Sequence, residues 1–183
     1  TELARQSGEQ THRRWRTHVI RDSKLNAFSI GDGHIFVTEG MLRFVASEAE
    51  LAAVLSHEFA HHTAGHFCPT QEKKGRLRRF FGAGEKAPQN GKVGELKASF
   101  DPVKEREADR IGTVILERGG YNPRIAILFA ARMSASGTPG HFHYGERIEA
   151  LQKLLKDKPN SRWAQPTSRA YRRMKAALTD AQH

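Results

Sequence analysis

Residues 47–66 read SEAELAAVLSHEFAHHTAGH, and this stretch predicts one amphipathic helix. Ser47 and Glu50 have the spacing of a capping box, in which the serine side chain accepts a hydrogen bond from the glutamate amide. Apolar residues then recur at helical spacing, at Leu51, Val54, Leu55 and Phe59. One face of the helix is therefore expected in the core, and the helix is expected to run to about His66.

The same helix carries His57-Glu58-Phe59-Ala60-His61, which has the HExxH spacing. His57 and His61 lie one turn apart, about 40° from each other around the axis. Two imidazole nitrogens so placed can reach one Zn²⁺ at roughly 2.0–2.1 Å. Glu58 lies about 100° from His57, beside the metal, where it can take a proton from a bound water. The alternative is a histidine pair on a solvated helix face.

A second predicted helix supplies two carboxylates one turn apart. It begins after Asp101-Pro102 and ends at Gly119-Gly120, and it carries Glu105 and Asp109 on one face. Glu105 is the expected third ligand, which leaves a fourth position for water, as catalytic zinc requires. Asp109 is expected to hold the N–H of a ligand histidine and fix its tautomer. For both residues the alternative is an ordinary charged helix face.

A third histidine ligand does not fit the spacing. The pattern HExxHxxGxxH requires glycine and histidine where this sequence has Ala64 and Phe67. His66 lies about 140° around the helix from His61, so it cannot share a metal with it while the helix is intact. We interpret His62 and His66 as residues that pack or that support a ligand from behind.

The remaining pattern predicts one mainly helical α+β domain over residues 1–183. A basic helix is expected over Thr1–Val19, and strands at residues 27–30 and 35–38 form a hairpin. Further helices are expected at residues 39–45, 123–136, 146–156 and, strongly basic, 167–181. Residues 67–100 are basic and glycine-rich and are expected to form a flexible insertion. Its run Arg76–Phe81 predicts contact with an anionic membrane surface, with a solvated loop as the alternative.

The composition excludes several classes of protein. Of the 183 residues, 38% are hydrophobic and 27% are charged, which is typical of a soluble globular domain. No apolar stretch approaches the ~18 residues of a membrane span. The single cysteine, Cys68, excludes a disulfide scaffold and a multi-cysteine zinc finger. The formal charge of +10 favours acidic partners, but nucleic-acid binding is not expected, because the basic residues are not interleaved with aromatic ones.

Taken together, the motifs resemble one known family. They are HEFAH with a histidine five residues later, EREAD followed by Arg110-Ile111-Gly112, Gly120-Tyr121-Asn122-Pro123, and the earlier Asn26-Ala27-Phe28 and Gly40-Met41-Leu42. The family is that of the gluzincin-type peptidases, which includes the CAAX prenyl protease, the HtpX heat-shock protease and soluble periplasmic assembly proteases. The resemblance covers about Asn26 to Leu151.

This resemblance implies a zincin-like fold in which the small sheet packs on the helix of the active site. It implies zinc ligands at His57, His61 and Glu105. The motif glutamate, Glu58, is then the general base. In the family a Thr-His-Pro segment precedes an Arg-Ile helix start, and by spacing His141 takes the place of its histidine, six residues before Arg147-Ile148. The threonine and the proline are absent here, so His143 and Tyr144 stay open as alternatives to His141 for stabilising an oxyanion.

The function expected from these residues is zinc-dependent hydrolysis of peptide bonds, with one Zn²⁺ per chain. A polypeptide substrate is expected to add as a strand to His34–Thr38, interpreted as an exposed edge. The alternative is a zinc-containing regulatory or chaperone-like protein with gated or little proteolysis. The soluble branch of the family implies a periplasmic or envelope location, with the cytoplasm as the alternative, and the sequence gives no oligomeric state.

Overall fold

The computed structural model describes residues 15–31, 33–66, 101–137, 144–158 and 167–180. The strands are β1 (Arg16–Ile20), β2 (Ala27–Gly31) and β3 (His34–Thr38). The helices are α1 (Glu39–Phe44), α2 (Glu48–Thr63), α3 (Pro102–Arg118), α4 (Ile125–Ala135), α5 (Tyr144–Leu154) and α6 (Arg169–Asp180). The α+β class with mainly helical content is confirmed. The predicted insertion at 67–100 and the loop with His141 and His143 lie outside the described residues.

The sheet has the strand order β1-β3-β2, with β3 antiparallel to β2 and parallel to β1. The predicted hairpin of β2 and β3 is confirmed. The predicted basic helix over Thr1–Val19 is wrong at its described end, because Arg16–Ile20 pairs with β3 as a strand. Three of these five residues are β-branched, which favours a strand once a partner is present. Residues 1–14 of that prediction lie outside the described part of the chain.

The position of β3 also corrects the expected edge strand. His34–Thr38 lies between β1 and β2 and is hydrogen-bonded on both sides, so it cannot accept a further strand. The outer edges of the described sheet belong to β1 and β2. Of these two, β2 is the edge strand that packs against α2, the helix with the HExxH motif.

Helix α2 begins at the predicted N-cap, Ser47, and ends at Thr63, three residues before the predicted end at about His66. The Ser47 side chain accepts a hydrogen bond from the Glu50 amide at 3.2 Å, as in a capping box. The Glu50 carboxylate instead accepts from the amide of Ala46 at 2.7 Å and pairs with Arg132 of α4. After Thr63 the chain turns at Gly65, whose φ of +68° is a left-handed conformation that glycine adopts without strain.

Helix α3 lies along α2 and is the main partner of that helix. Its N-cap is Asp101, whose side chain accepts a hydrogen bond from the Val103 amide at 2.9 Å. The two helices approach closely at Gly112, where an added Cβ would lie 3.3 Å from the Ser56 carbonyl oxygen. This close approach brings the polar face of α3 against the motif of α2.

The core lies between the sheet and helices α1 to α4. Its buried side chains include Ile35, Val37, Met41, Val45, Phe59, Ile115, Leu116 and Met133. Trp15 packs edge-on against Phe59 and against the ring of His62, so the start of β1 is anchored on α2. Among the described helices, none has both the length and the apolar composition that crossing a membrane requires.

The basic C-terminal helix, expected at residues 167–181, is observed as α6 and is docked on α1. Tyr171 is buried, and its hydroxyl donates to the Val45 carbonyl at 3.3 Å. The Lys175 ammonium donates to the carbonyls of Leu42, Arg43 and Val45 at 2.9–3.2 Å. The face that carries Tyr171 and Lys175 is therefore a packing face. Arg169, Arg172 and Arg173 remain exposed.

Candidate metal centre

Three donor side chains converge where α2 crosses α3. His57 and His61 come from α2, and Glu105 comes from the first turn of α3. The two Nε2 atoms of the histidines lie 3.0 Å apart. Each is 3.2 Å from a different carboxylate oxygen of Glu105. The side chains of His61 and Glu105 are only 4% exposed, so the cluster is shielded from bulk water.

The chemistry of this donor set fits a tetrahedral metal ion. Ligands at roughly 2.0–2.1 Å around tetrahedral zinc lie about 3.4 Å from one another, close to the 3.0–3.2 Å separations found here. Two imidazoles and one carboxylate also form a known ligand set for catalytic zinc, which leaves one position open. Within the described ranges, no other three His, Cys, Asp or Glu side chains bring their donor atoms together in this way.

The outer nitrogen of His57 is held by a buried carboxylate. Asp109 Oδ1 lies 3.0 Å from His57 Nδ1. Asp109 is held in turn by Arg147 of α5, which donates through Nε to Oδ2 at 2.8 Å and through a terminal nitrogen to Oδ1 at 2.6 Å. The Arg147 guanidinium also reaches Glu105 at 3.4 Å. Arg147 thus contacts both Glu105, a candidate ligand, and Asp109, the carboxylate behind His57.

The pKa values of Asp109 and His57 follow from these contacts. Burial alone would raise the pKa of Asp109, but hydrogen bonds from Arg147 and His57 hold it well below its usual range. Burial and the charge of Arg147 lower the pKa of His57, while hydrogen bonds to Asp109 and Glu105 raise it more, to about 9. Because a metal ion binds the neutral imidazole, metal binding at His57 competes with protonation of this ring.

The outer nitrogen of His61 has a different partner. His61 Nδ1 lies 3.0 Å from His66 Nδ1, and His66 Nε2 lies 3.1 Å from Glu107 Oε2. The His66 side chain is 6% exposed, whereas that of Glu107 is 47% exposed. The two candidate histidine ligands are therefore backed by unlike groups.

A narrow cavity of about 70 Å³ opens beside His57. Glu58, which is 2% exposed, lines it together with Tyr144 and Arg147. The rest of its wall is largely apolar and includes Met41, Val54, Leu116, Phe129, Ala130 and Met133. Burial raises the pKa of Tyr144, against the opposing charge of Arg147, so its hydroxyl keeps its proton at neutral pH.

The structure brings together most of the residues that the sequence singles out. His57, His61 and Glu105 converge, Asp109 contacts His57, and Glu58 lies next to this group on the cavity wall. His141 and His143 lie outside the described residues, whereas Tyr144 is on the same wall as Glu58.

Two supporting contacts were not predicted. In the sequence, Arg147 stands out only as part of the Arg-Ile pair at a helix start, and this pair is the one local signal of its role. The sequence is compatible with either packing or support for His66, and nothing in the local sequence indicates its contact with Glu107.

Comparison with known proteins gives a consistent result. The sequence profile described as Peptidase family M48 matches residues 1–155. The mitochondrial metalloendopeptidase OMA1 of Schizosaccharomyces pombe is 35% identical over 133 residues, which are 67% of this chain and 39% of that protein. The beta-barrel assembly-enhancing protease of Yersinia pestis is 28% identical over 134 residues, 64% of this chain and 28% of its own length. Its counterpart in Escherichia coli is 28% identical over 132 residues, 63% of this chain and 27% of its own length. The chain therefore spans between 27% and 39% of these relatives.

Proposed function

The chain belongs to peptidase family M48, and from this premise we propose that it is a zinc-dependent endopeptidase. His57, His61 and Glu105 hold the zinc, and Glu58 is the general base. The observation that carries the proposal is the convergence of three donors from two helices at 3.0–3.2 Å. We propose further that residues 1–183 act as one metallopeptidase domain.

The chain's own residues divide the chemistry between them. Zinc, when bound, supplies a Lewis acid and lowers the pKa of a coordinated water. Glu58 follows His57 directly in α2 and lines the cavity, so its carboxylate is placed to accept the proton of the attacking water. The same carboxyl group then returns that proton to the nitrogen of the leaving amine.

Tyr144 is the described residue best placed to stabilise an oxyanion. It lines the cavity with Glu58, and the Arg147 guanidinium lies 5.6 Å from its ring. A tyrosine whose pKa is raised remains a hydrogen-bond donor at neutral pH, and an oriented donor stabilises the charge that develops in the transition state. His141, which the family resemblance implies, and His143 stay the alternatives to Tyr144.

The substrate is an extended polypeptide that adds to β2. The Asn26 carbonyl accepts a hydrogen bond from the Thr38 amide, so the alternation of an antiparallel ladder turns the backbone groups of Ala27 and Ser29 outward. Ala27 also lines the cavity with His57 and Glu58. A peptide on this edge passes the proposed zinc site, and the apolar wall of the cavity suits an apolar side chain.

Three similar bacterial and mitochondrial proteins are named as proteases or metalloendopeptidases, and two of them are named for β-barrel assembly. These names support a polypeptide substrate for this chain, whereas its periplasmic or envelope setting rests on the family resemblance alone. The contact of residues 67–100 with an anionic membrane surface remains a prediction.

Glu58→Gln tests the proposal, because it removes the base and keeps the shape of the side chain. We expect about one zinc per chain in both proteins, and a loss of about 10²–10⁴-fold in the hydrolysis of an unfolded polypeptide by the variant. Zinc binding without any hydrolysis by the wild-type chain would instead favour the regulatory or chaperone-like alternative.

A further inference from the structure

We propose that His66 is a positioning residue for His61, and that Glu107 fixes the tautomer of His66. The inference rests on the proposed zinc site. It concerns the three residues His61, His66 and Glu107, which we refer to as the outer relay. The relay runs from a candidate ligand on α2, through a residue three positions beyond the end of this helix, to an exposed carboxylate on α3.

Backbone geometry fixes the place of His66. Gly65, in the left-handed conformation, turns the chain at the end of α2, and its amide donates to the His62 carbonyl at 3.0 Å. The amide of His66 then donates to the His61 carbonyl at 3.0 Å, a bond typical of a glycine-terminated helix. His66 is thus tied to His61 by its backbone as well as by its ring.

Zinc bound to His61 would set the direction of both hydrogen bonds in the outer relay. A neutral imidazole that holds zinc through Nε2 carries its proton on Nδ1. His61 Nδ1 therefore donates to His66 Nδ1 at 3.0 Å, which requires a lone pair on that atom. The proton of a neutral His66 is then on Nε2, where it donates to Glu107 Oε2 at 3.1 Å. A single proton arrangement satisfies all three groups.

The same contacts distinguish a supporting role for His66 from metal binding and from simple packing. The contact between the two rings is made at Nδ1 of His61, whereas Nε2 of His61 faces His57 and Glu105. His66 therefore supports the ligand from its far side. A ring that served only to fill space would not need both of its nitrogens paired, and His66, only 6% exposed, has a partner at each.

The test compares the zinc affinity of variants of the 183-residue chain by competition with a chromophoric zinc chelator. His66→Phe keeps an aromatic ring but removes the acceptor, and we expect zinc affinity to fall about 10–100-fold. His66→Asn places an amide oxygen near the position of Nδ1 but loses the contact with Glu107, so we expect a loss of about 3–10-fold, smaller than that of His66→Phe. Glu107→Gln is expected to fall about 3–10-fold, and Glu149→Gln, an exposed change on α5, should have no effect.

A second readout reports on the protons directly. In long-range ¹H–¹⁵N spectra of the zinc-loaded wild type, His61 should show the Nδ1–H tautomer and His66 the Nε2–H tautomer. A His66 ring protonated at Nδ1 would overturn the proposal, as would zinc affinities of His66→Phe and Glu107→Gln equal to that of the wild type. If His66→Phe does not fold, Glu107→Gln and the tautomers decide. A wild-type chain that binds no zinc would overturn the proposed function itself, and the relay with it.

Discussion

The two candidate histidine ligands sit side by side on α2, yet the groups behind them differ in almost every physical respect. Behind His57 stands Asp109, a buried carboxylate held by two hydrogen bonds from Arg147. Behind His61 lies a second imidazole, His66, which contacts a half-exposed carboxylate, Glu107, through its other nitrogen. Both arrangements orient a ring and fix its tautomer. The first does so with two charged side chains that are only 9% exposed, so it should affect folding as well as metal binding, whereas the second should affect metal binding alone.

The largest difference between the two sides should appear in folding stability. Arg147→Met leaves Asp109 buried without its cation, and we expect the free energy of unfolding to fall by about 3–5 kcal/mol. Arg106→Met is the matched control, because Arg106 is 45% exposed and its pair with Glu146 is long, at 3.8 Å, so about 0–1 kcal/mol is expected. Urea denaturation of both variants without zinc gives the comparison. Equal losses would show that the burial of the Arg147–Asp109 pair makes no difference to its contribution to folding stability.

The two sides should differ less in their effect on zinc affinity than in their effect on folding stability. Asp109→Asn keeps the shape of the side chain but removes its charge, and we expect zinc affinity to fall about 100-fold, at the upper end of such outer-partner effects. Glu107→Gln, whose charge acts through a ring and from the surface, should lose about 3–10-fold. Chelator competition measures both. A larger loss from Glu107→Gln would reverse the ranking that the burial of the two carboxylates predicts.

The smallest expected effect is the response to salt. Raising the ionic strength from about 0.1 M to about 1 M shortens the Debye length from about 10 Å to about 3 Å. The zinc-affinity ratio of wild type to Glu107→Gln should then shrink towards one, because Glu107 is exposed. The ratio of wild type to Asp109→Asn should stay nearly constant. Parallel changes in the two ratios would mean that the outer relay is as shielded as the buried pair.

The part of the site that could be predicted from sequence is the part that lies within single helices. The four-residue spacing of His57 and His61 places both rings on one face of α2, and the same spacing places Glu105 and Asp109 on one face of α3. The hairpin of β2 and β3 was likewise predictable, because its strands are neighbours in the chain. The expected α+β class, mainly helical with a small sheet, is confirmed for the same reason.

What escaped prediction depends on contacts between distant segments. Arg147 meets Asp109 across 38 residues, and His66 meets Glu107 across 41, so only the packing of α5 and of the end of α2 on α3 decides them. The error about the edge strand has the same origin. Residues 16–20 continue the polar, basic stretch at the start of the chain, for which a helix was predicted, and only their pairing with β3 makes them a strand and places β3 in the centre of the sheet.

The central claim is that the zinc ligands are His57, His61 and Glu105, and zinc content measures it most directly. Wild type, Glu105→Ala and Glu107→Ala are dialysed against the same low concentration of zinc and analysed for metal per chain. We predict about one zinc in the wild type, nearly as much in Glu107→Ala and a severe loss in Glu105→Ala, since only Glu105 supplies one of the three donors. Full zinc content in Glu105→Ala, or a loss confined to Glu107→Ala, would contradict the ligand set.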